Sequence, residues 1–184
     1  GNTISANSAG VFLGPETWTI MVRRNSIAGN AQFGVAVSPE GKRVDLVDNS
    51  ITRNGFIGID RGLNGFDGYD SDEADVTRAK IPPPHVTSAT FNPAVNTTTI
   101  LGTYNNSYDQ FGTWKITLYR NTVNDGQGEA ALGSTAAFNG TFTLTVPGDL
   151  RGQFITATGH RRMFLGLSGD WYWTSEFSEA VEVR

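Results

Sequence analysis

Gly1-Asn2-Thr3-Ile4-Ser5-Ala6-Asn7, Arg24-Asn25-Ser26-Ile27-Ala28-Gly29-Asn30 and Asp48-Asn49-Ser50-Ile51-Thr52-Arg53-Asn54 are three copies of one phrase, Asn-Thr/Ser-Ile-x-x-Asn. Asn2, Asn25 and Asn49 follow one another at 23 and 24 residues, too short for a helical-pair repeat and the right length for one coil of a right-handed parallel β-helix. Each copy leads into a glycine and an apolar run, Gly10-Val11-Phe12-Leu13, Gly34-Val35-Ala36-Val37 and Gly58-Ile59-Asp60-Arg61. A period of two points Val11, Val35 and Ile59 the same way, stacked at the ~4.8 Å strand spacing. A further strand precedes each new asparagine, aligning Ile20 and Val22 with Val44 and Leu46, so a coil carries three strand segments.

The asparagines fit a structural role. A side-chain amide both donates and accepts, so each can bond its copy one coil away and tolerate a tight bend. In the third copy the apolar run fails at Asp60 and Arg61, as expected where a solenoid ends and its outer face turns polar.

Working outward, residues 64–84 read as a linker between a solenoid fragment at 1–63 and a β-sandwich at 85–184. Gly62–Asp75 is dense in glycine and acid, and Pro82-Pro83-Pro84 reads as a stiff spacer. Asp67, Asp70, Asp72 and Asp75, with Glu73 among them, could offer hard oxygen ligands to Ca²⁺, although their spacing is not that of an EF-hand loop. A solvated acidic linker is the alternative.

From His85 the chain alternates in short runs separated by turn residues. Trp114, Ile116 and Leu118 share one face, as do Phe142, Leu144 and Val146, and Asn139-Gly140 is a type I′ hairpin signal. Seven strands in roughly 100 residues match the size of an immunoglobulin-like sandwich. The fold expected is therefore all-β, the last coils of a parallel β-helix followed by that sandwich.

With these features the chain resembles bacterial right-handed parallel β-helix repeat proteins whose C-terminal end carries an immunoglobulin-like domain. Besides the asparagine repeats, the resemblance rests on Gly126-Gln127-Gly128-Glu129 with Leu132-Gly133-Ser134, on Gly152–Thr158, and on Thr174-Ser175-Glu176-Phe177-Ser178. It implies a large exported or surface-attached parent protein and assigns no reaction. Relatives often carry a cysteine pair in the sandwich that is missing here, and the stretch Gly159–Trp173 is longer than theirs.

Composition narrows the function classes. Net charge is −4 with a pI near 5.1, so no basic patch favours nucleic acid. The chain has no cysteine, which removes disulfides, thiol catalysis and cysteine zinc sites. No apolar stretch approaches the roughly 20 residues of a membrane span. The chain opens on Gly1 within a repeat, without a signal peptide, and reads as a fragment whose exposed first coil could drive self-association.

Catalytic signals are sparse. His85 and His160 have no metal-ligating neighbour at a recognisable spacing and read as surface or edge-strand residues, and no nucleophile elbow or phosphate loop appears. Polysaccharide lyases, epimerases and glycosidases on β-helices use acidic or basic residues, for which Asp45, Asp48, Arg53, Asp60 and Arg61 are the candidates; Arg24 and Asp48 could equally form a surface ion pair. The ligand-binding candidates are Trp171, Tyr172, Trp173 and Phe164, in an extension that reads as a hairpin whose rings could stack on sugars, anchor a protein partner or pack internally. The leading expectation is a non-enzymatic module of a secreted or surface protein, in adhesion or in glycan or partner binding. The alternative is the accessory tail of a carbohydrate-active β-helix enzyme.

Overall fold

β-Branched and apolar residues returning at a fixed interval favour strands that stack on their own copies. The computed structural model describes residues 1–15, 20–39, 44–63, 65, 82–104, 114–164 and 170–184, with the backbone alone at 162–164 and 170–172. Every regular element among them is a β-strand. Eight come from the repeats: β1 (Thr3–Ser5), β2 (Val11–Leu13), β3 (Ile20–Arg23), β4 (Ser26–Ala28), β5 (Val35–Val37), β6 (Val44–Val47), β7 (Ser50–Thr52) and β8 (Ile59–Arg61). They form three parallel sheets, ordered β1-β4-β7, β2-β5-β8 and β3-β6.

Pairing follows the sequence repeat. Ile4, Ile27 and Ile51 are in register, as are Val11, Val35 and Ile59, while Ile20 pairs with Val44 and Val22 with Leu46. Ile27, Val35, Val37, Val44, Leu46, Ile51 and Ile59 are buried and form one core running along the stack. The bend before each asparagine is taken by the residue that precedes it. Ala6, Arg24, Asp48 and Arg53 have φ between 54° and 57° and Gly29 has φ 65°, so the asparagines themselves need no left-handed backbone.

The second unit contains β9 (His85–Asn92), β10 (Thr97–Thr103), β11 (Trp114–Asn121), β12 (Ala130–Ala136), β13 (Thr141–Pro147), β14 (Phe154–Phe164), β15 (Asp170–Thr174) and β16 (Val181–Glu182). Its strands are antiparallel, in one sheet ordered β13-β10-β9 and another ordered β12-β11-β14-β15 with β16 also on β14. Alternating residues from both sheets, among them Ile100, Phe142, Trp114, Ile116, Leu118 and Ile155, meet in a shared core.

Asn139 and Gly140 both have positive φ, 50° and 74°, as a type I′ turn requires. Yet the turn makes a single rung, between Phe138 and Thr141, before its strands part. β12 joins β11 and β13 joins β10, so this turn passes the chain from one sheet to the other.

Pro82, Pro83 and Pro84, which read in sequence as a stiff spacer, are buried. Between β15 and β16 the chain still follows β14 along its edge. Ser175 N–H donates to Gly159 O and Ser178 N–H to Ala157 O, while the two serine hydroxyls accept from Gly159 N and Ala157 N. This irregular edge frees residues 176 and 177 to face the repeats.

Candidate functional site

In a stack of parallel strands each repeat satisfies the one before it, so the last repeat leaves donors and apolar surface with no successor. The asparagines show the rule. Asn2 donates through its backbone N–H and its Nδ2 to Asn25 Oδ1 (3.1 and 3.2 Å), and Asn25 does the same to Asn49 Oδ1 (3.0 and 3.2 Å). A second ladder runs from Asn7 to Asn30 (3.2 and 3.3 Å) and from Asn30 to Asn54 (3.2 and 2.9 Å).

The second ladder continues into the antiparallel unit. Asn54 N–H and Nδ2 donate to Gln127 Oε1 at 3.1 and 2.9 Å, and Gln127 Nε2 donates back to Asn54 O at 2.9 Å. Next to it Ile51 and Gly128 exchange backbone hydrogen bonds of 2.8 and 2.7 Å, which adds one antiparallel rung to the β1-β4-β7 sheet. Ser50 Oγ donates to Glu129 O, and Arg53 N–H donates to Asp125 Oδ2.

The loop that does this is braced from within its own unit. Asp125 Oδ1 accepts from Gln127 N, Thr156 Oγ1 donates to Gln127 O at 2.6 Å, and Asn121 Oδ1 accepts from Glu129 N. Hydrogen bonds from Thr122 hold the Glu129 carboxyl below the usual carboxylate range.

Phe177 closes the apolar core. Its ring stands edge-on to Tyr119 (5.2 Å, 82°), and both rings belong to the core of the repeats. A Cβ added to Gly10 would meet Gly34 O at 2.3 Å and one added to Gly34 would meet Gly58 O at 2.6 Å, but one added to Gly58 would meet the Phe177 ring at 2.9 Å. Phe177 therefore lies where the next repeat's backbone would pass. Gly128 faces the same ring, at 2.5 Å from an added Cβ.

The remaining two sheets end on Glu176 and Thr174. Arg61 N–H donates to Glu176 Oε1 at 2.7 Å, its Nη1 donates to Thr174 O at 3.1 Å, and Leu46 N–H donates to Thr174 Oγ1 at 2.9 Å. Burial pushes the Arg61 guanidinium down to about 10 while Glu176 works in the opposite direction, so it stays charged at neutral pH. Asp60 and Arg61 are 1% and 4% exposed. Neither is the solvent-facing polar end that their sequence suggested: Arg61 bonds Glu176 and Thr174 of the antiparallel unit, and Asp60 Oδ2 accepts from Gly65 N–H.

His160 also departs from the surface reading. It lies on β14 between β11 and β15, half-buried, with Nδ1 3.0 Å from Thr174 Oγ1 and Nε2 3.0 Å from Thr158 Oγ1. Since Thr174 Oγ1 accepts from Leu46 N–H, its own proton is directed to His160 Nδ1, which leaves the Nε2–H tautomer to donate to Thr158. Thr158 in turn hydrogen-bonds the Tyr119 hydroxyl. Burial, with Lys115 on the paired strand, pushes His160 down to about 4.

The other sequence candidates are dispersed. Asp45 is buried and paired with Arg23 at 2.7 Å, while Arg24 and Asp48 form an exposed contact of 3.9 Å. The Arg53 side chain is exposed, and His85 is half-buried at the start of β9. Trp173 is 7% exposed and belongs to the antiparallel core, which is the internal-packing alternative for that ring. The side chains of Phe164, Trp171 and Tyr172 lie outside the described residues, although their backbone forms the β14–β15 hairpin, pairing out to Phe164 and Asp170. Asp67, Asp70, Asp72 and Asp75 lie outside the described residues altogether. No described helix is long and apolar enough to cross a membrane.

The seam residues Gln127, Thr174, Glu176 and Phe177 drew no role from sequence. Comparisons with protein-family models, with curated proteins and with solved structures give no match to this chain.

Proposed function

We propose that the parallel strands are the last coils of a right-handed parallel β-helix, and that the antiparallel unit is an immunoglobulin-like sandwich that closes them. In this reading the chain is a non-enzymatic C-terminal module of a secreted or surface bacterial protein, acting in adhesion or in glycan or partner binding. The observation that carries it is the continuation of the asparagine ladder into Gln127. A unit that substitutes for the next coil at the amide ladder, in the core and on the remaining two sheets is built to terminate a solenoid and to hold a second surface rigidly beyond it.

The acidic candidates for catalysis have structural roles that fit this reading. Asp45 neutralises Arg23, and Asp60 is covered and accepts from Gly65 N. The test is to present the purified chain with a glycan array and, separately, with acidic and neutral polysaccharides. Retention of glycans without product formation is expected. Release of new chain ends that is lost in Asp45→Asn or Asp60→Asn would overturn this reading in favour of an enzyme tail.

A further inference from the structure

Where the two units meet, a cleft of about 470 Å³ opens beside the ladder, between Phe56 and Ile57 of the last repeat and Asn124, Asp125, Phe177 and Glu179 of the antiparallel unit. We infer that this cleft binds one neutral pyranose ring of a glycan, which rests on the glycan-binding reading above and moves its site from the β14–β15 hairpin to the seam. The volume is within the range of about 300–1,000 Å³ typical of small-molecule sites.

Three features give the ligand class. Phe56 is 63% exposed and its ring packs at 80° to Phe33 (5.8 Å), so the cleft has a solvent-facing aromatic ring at its mouth. An apolar ring left in water suits the C–H face of a sugar. Polar groups stand next to that face. Among the described residues neither the Glu179 carboxylate nor the Asn124 amide hydrogen-bonds another protein group, and both are exposed. They can accept from, and in the case of Asn124 donate to, sugar hydroxyls.

The charge of the lining sets the third condition. Among the described residues, those around the cleft include two acids and no Lys, Arg or His, which disfavours uronic acids and phosphates. The two acids exert little pull on a cation. Asp125 already accepts from the backbone N–H groups of Arg53 and Gln127, and Glu179 is solvent-screened.

The experiment is an NMR titration of the isotope-labelled chain with maltohexaose, cellohexaose and chitohexaose at millimolar concentration, with arginine amide run in parallel. At least one sugar is expected to shift the amides of Ile57, Gly126 and Glu179. Phe56→Ala should weaken that binding about tenfold, and Glu179→Gln, a change at an exposed position that leaves folding intact, should weaken it severalfold. Sugar shifts confined to residues 170–174 and indifferent to Phe56→Ala would overturn the cleft while leaving glycan binding standing. No shift with any of the three sugars would overturn both, and cleft shifts with arginine amide alone would overturn the ligand class.

Discussion

Gln127 Oε1 accepts two hydrogen bonds from Asn54, one from the backbone N–H and one from Nδ2, in the geometry with which Asn54 Oδ1 receives Asn30. A glutamine in a loop of one unit thus completes an asparagine ladder that begins in the other. Both residues are buried, Gln127 at 1% and Asn54 at 6% exposure, so no water is at hand to replace the acceptor. Gln127→Ala should cost about 2–4 kcal/mol by orphaning two donors. Chemical denaturation measures the loss, and hydrogen exchange should localise it as faster exchange at Ile51 and Asn54. A uniform acceleration throughout the repeats would mean that the ladder's end is not a local seal.

Two glycines separate packing from backbone strain. Gly58 has an ordinary φ but faces the Phe177 ring, whereas Gly29 has φ 65° and nothing within 4 Å of an added Cβ. Gly58→Ala should cost about 1–3 kcal/mol through overpacking of the seam. Gly29→Ala should cost about 1 kcal/mol through strain alone. Ala6→Gly, at φ 57°, should stabilise by up to about 1 kcal/mol because it relieves the same strain. Thermal melts of the three variants test the signs, and a neutral Gly58→Ala would count against a tightly packed seam.

The repeat was legible because its signal is local and recurs. Ile4, Ile27 and Ile51, like Val11, Val35 and Ile59, sit at one offset in the chain and at one position in the stack. The seam was not legible because its partners are far apart in sequence and occur once each. Gln127 lies 73 residues from Asn54, and Glu176 lies 115 from Arg61. Gly126–Glu129 and Thr174–Ser178 stand out as motifs, but nothing in their own pattern says what they face. One clue was present, the break of the apolar run at Asp60-Arg61. A polar pair at the end of a buried strand can mean solvent or a polar cover, and the sequence of that strand does not distinguish them. Asn139-Gly140 had the same ambiguity, since its φ values specify a turn and not the sheet each arm will join.

Arg61 and Glu176 are both buried, and Glu176 receives the N–H of β8 as well as acting on the guanidinium charge. Glu176→Ala should be among the most damaging single changes, about 3–5 kcal/mol, because it leaves a buried cation and an orphaned amide. Glu176→Gln keeps an acceptor for Arg61 N–H and should lose less. A double-mutant cycle with Arg61→Met reads the coupling directly. If the two losses simply add, Glu176 acts on the backbone amide alone and the charge pairing contributes nothing.

His160 gives the seam a pH dependence of definite sign. Its folded-state value near 4 lies below the ordinary 6.5, so folding disfavours its protonated form. The stability it supports is therefore complete above about pH 6.5 and is lost as pH falls from there towards 4. A shift of this size in a half-buried group corresponds to about 1–3 kcal/mol. The geometry says where the loss is felt. A protonated ring would aim a second donor at Thr174 Oγ1, which already receives Leu46 N–H, and would displace the threonine's own proton from its acceptor. The imidazolium would also stand opposite Lys115. Stability measured from pH 7 to pH 4 should fall more steeply for the native chain than for His160→Gln, whose amide can accept from Thr174 without titrating. Carboxylates elsewhere titrate in both proteins and cancel in the difference. Superimposable pH profiles would show that His160 is not the group that links the seam to acid.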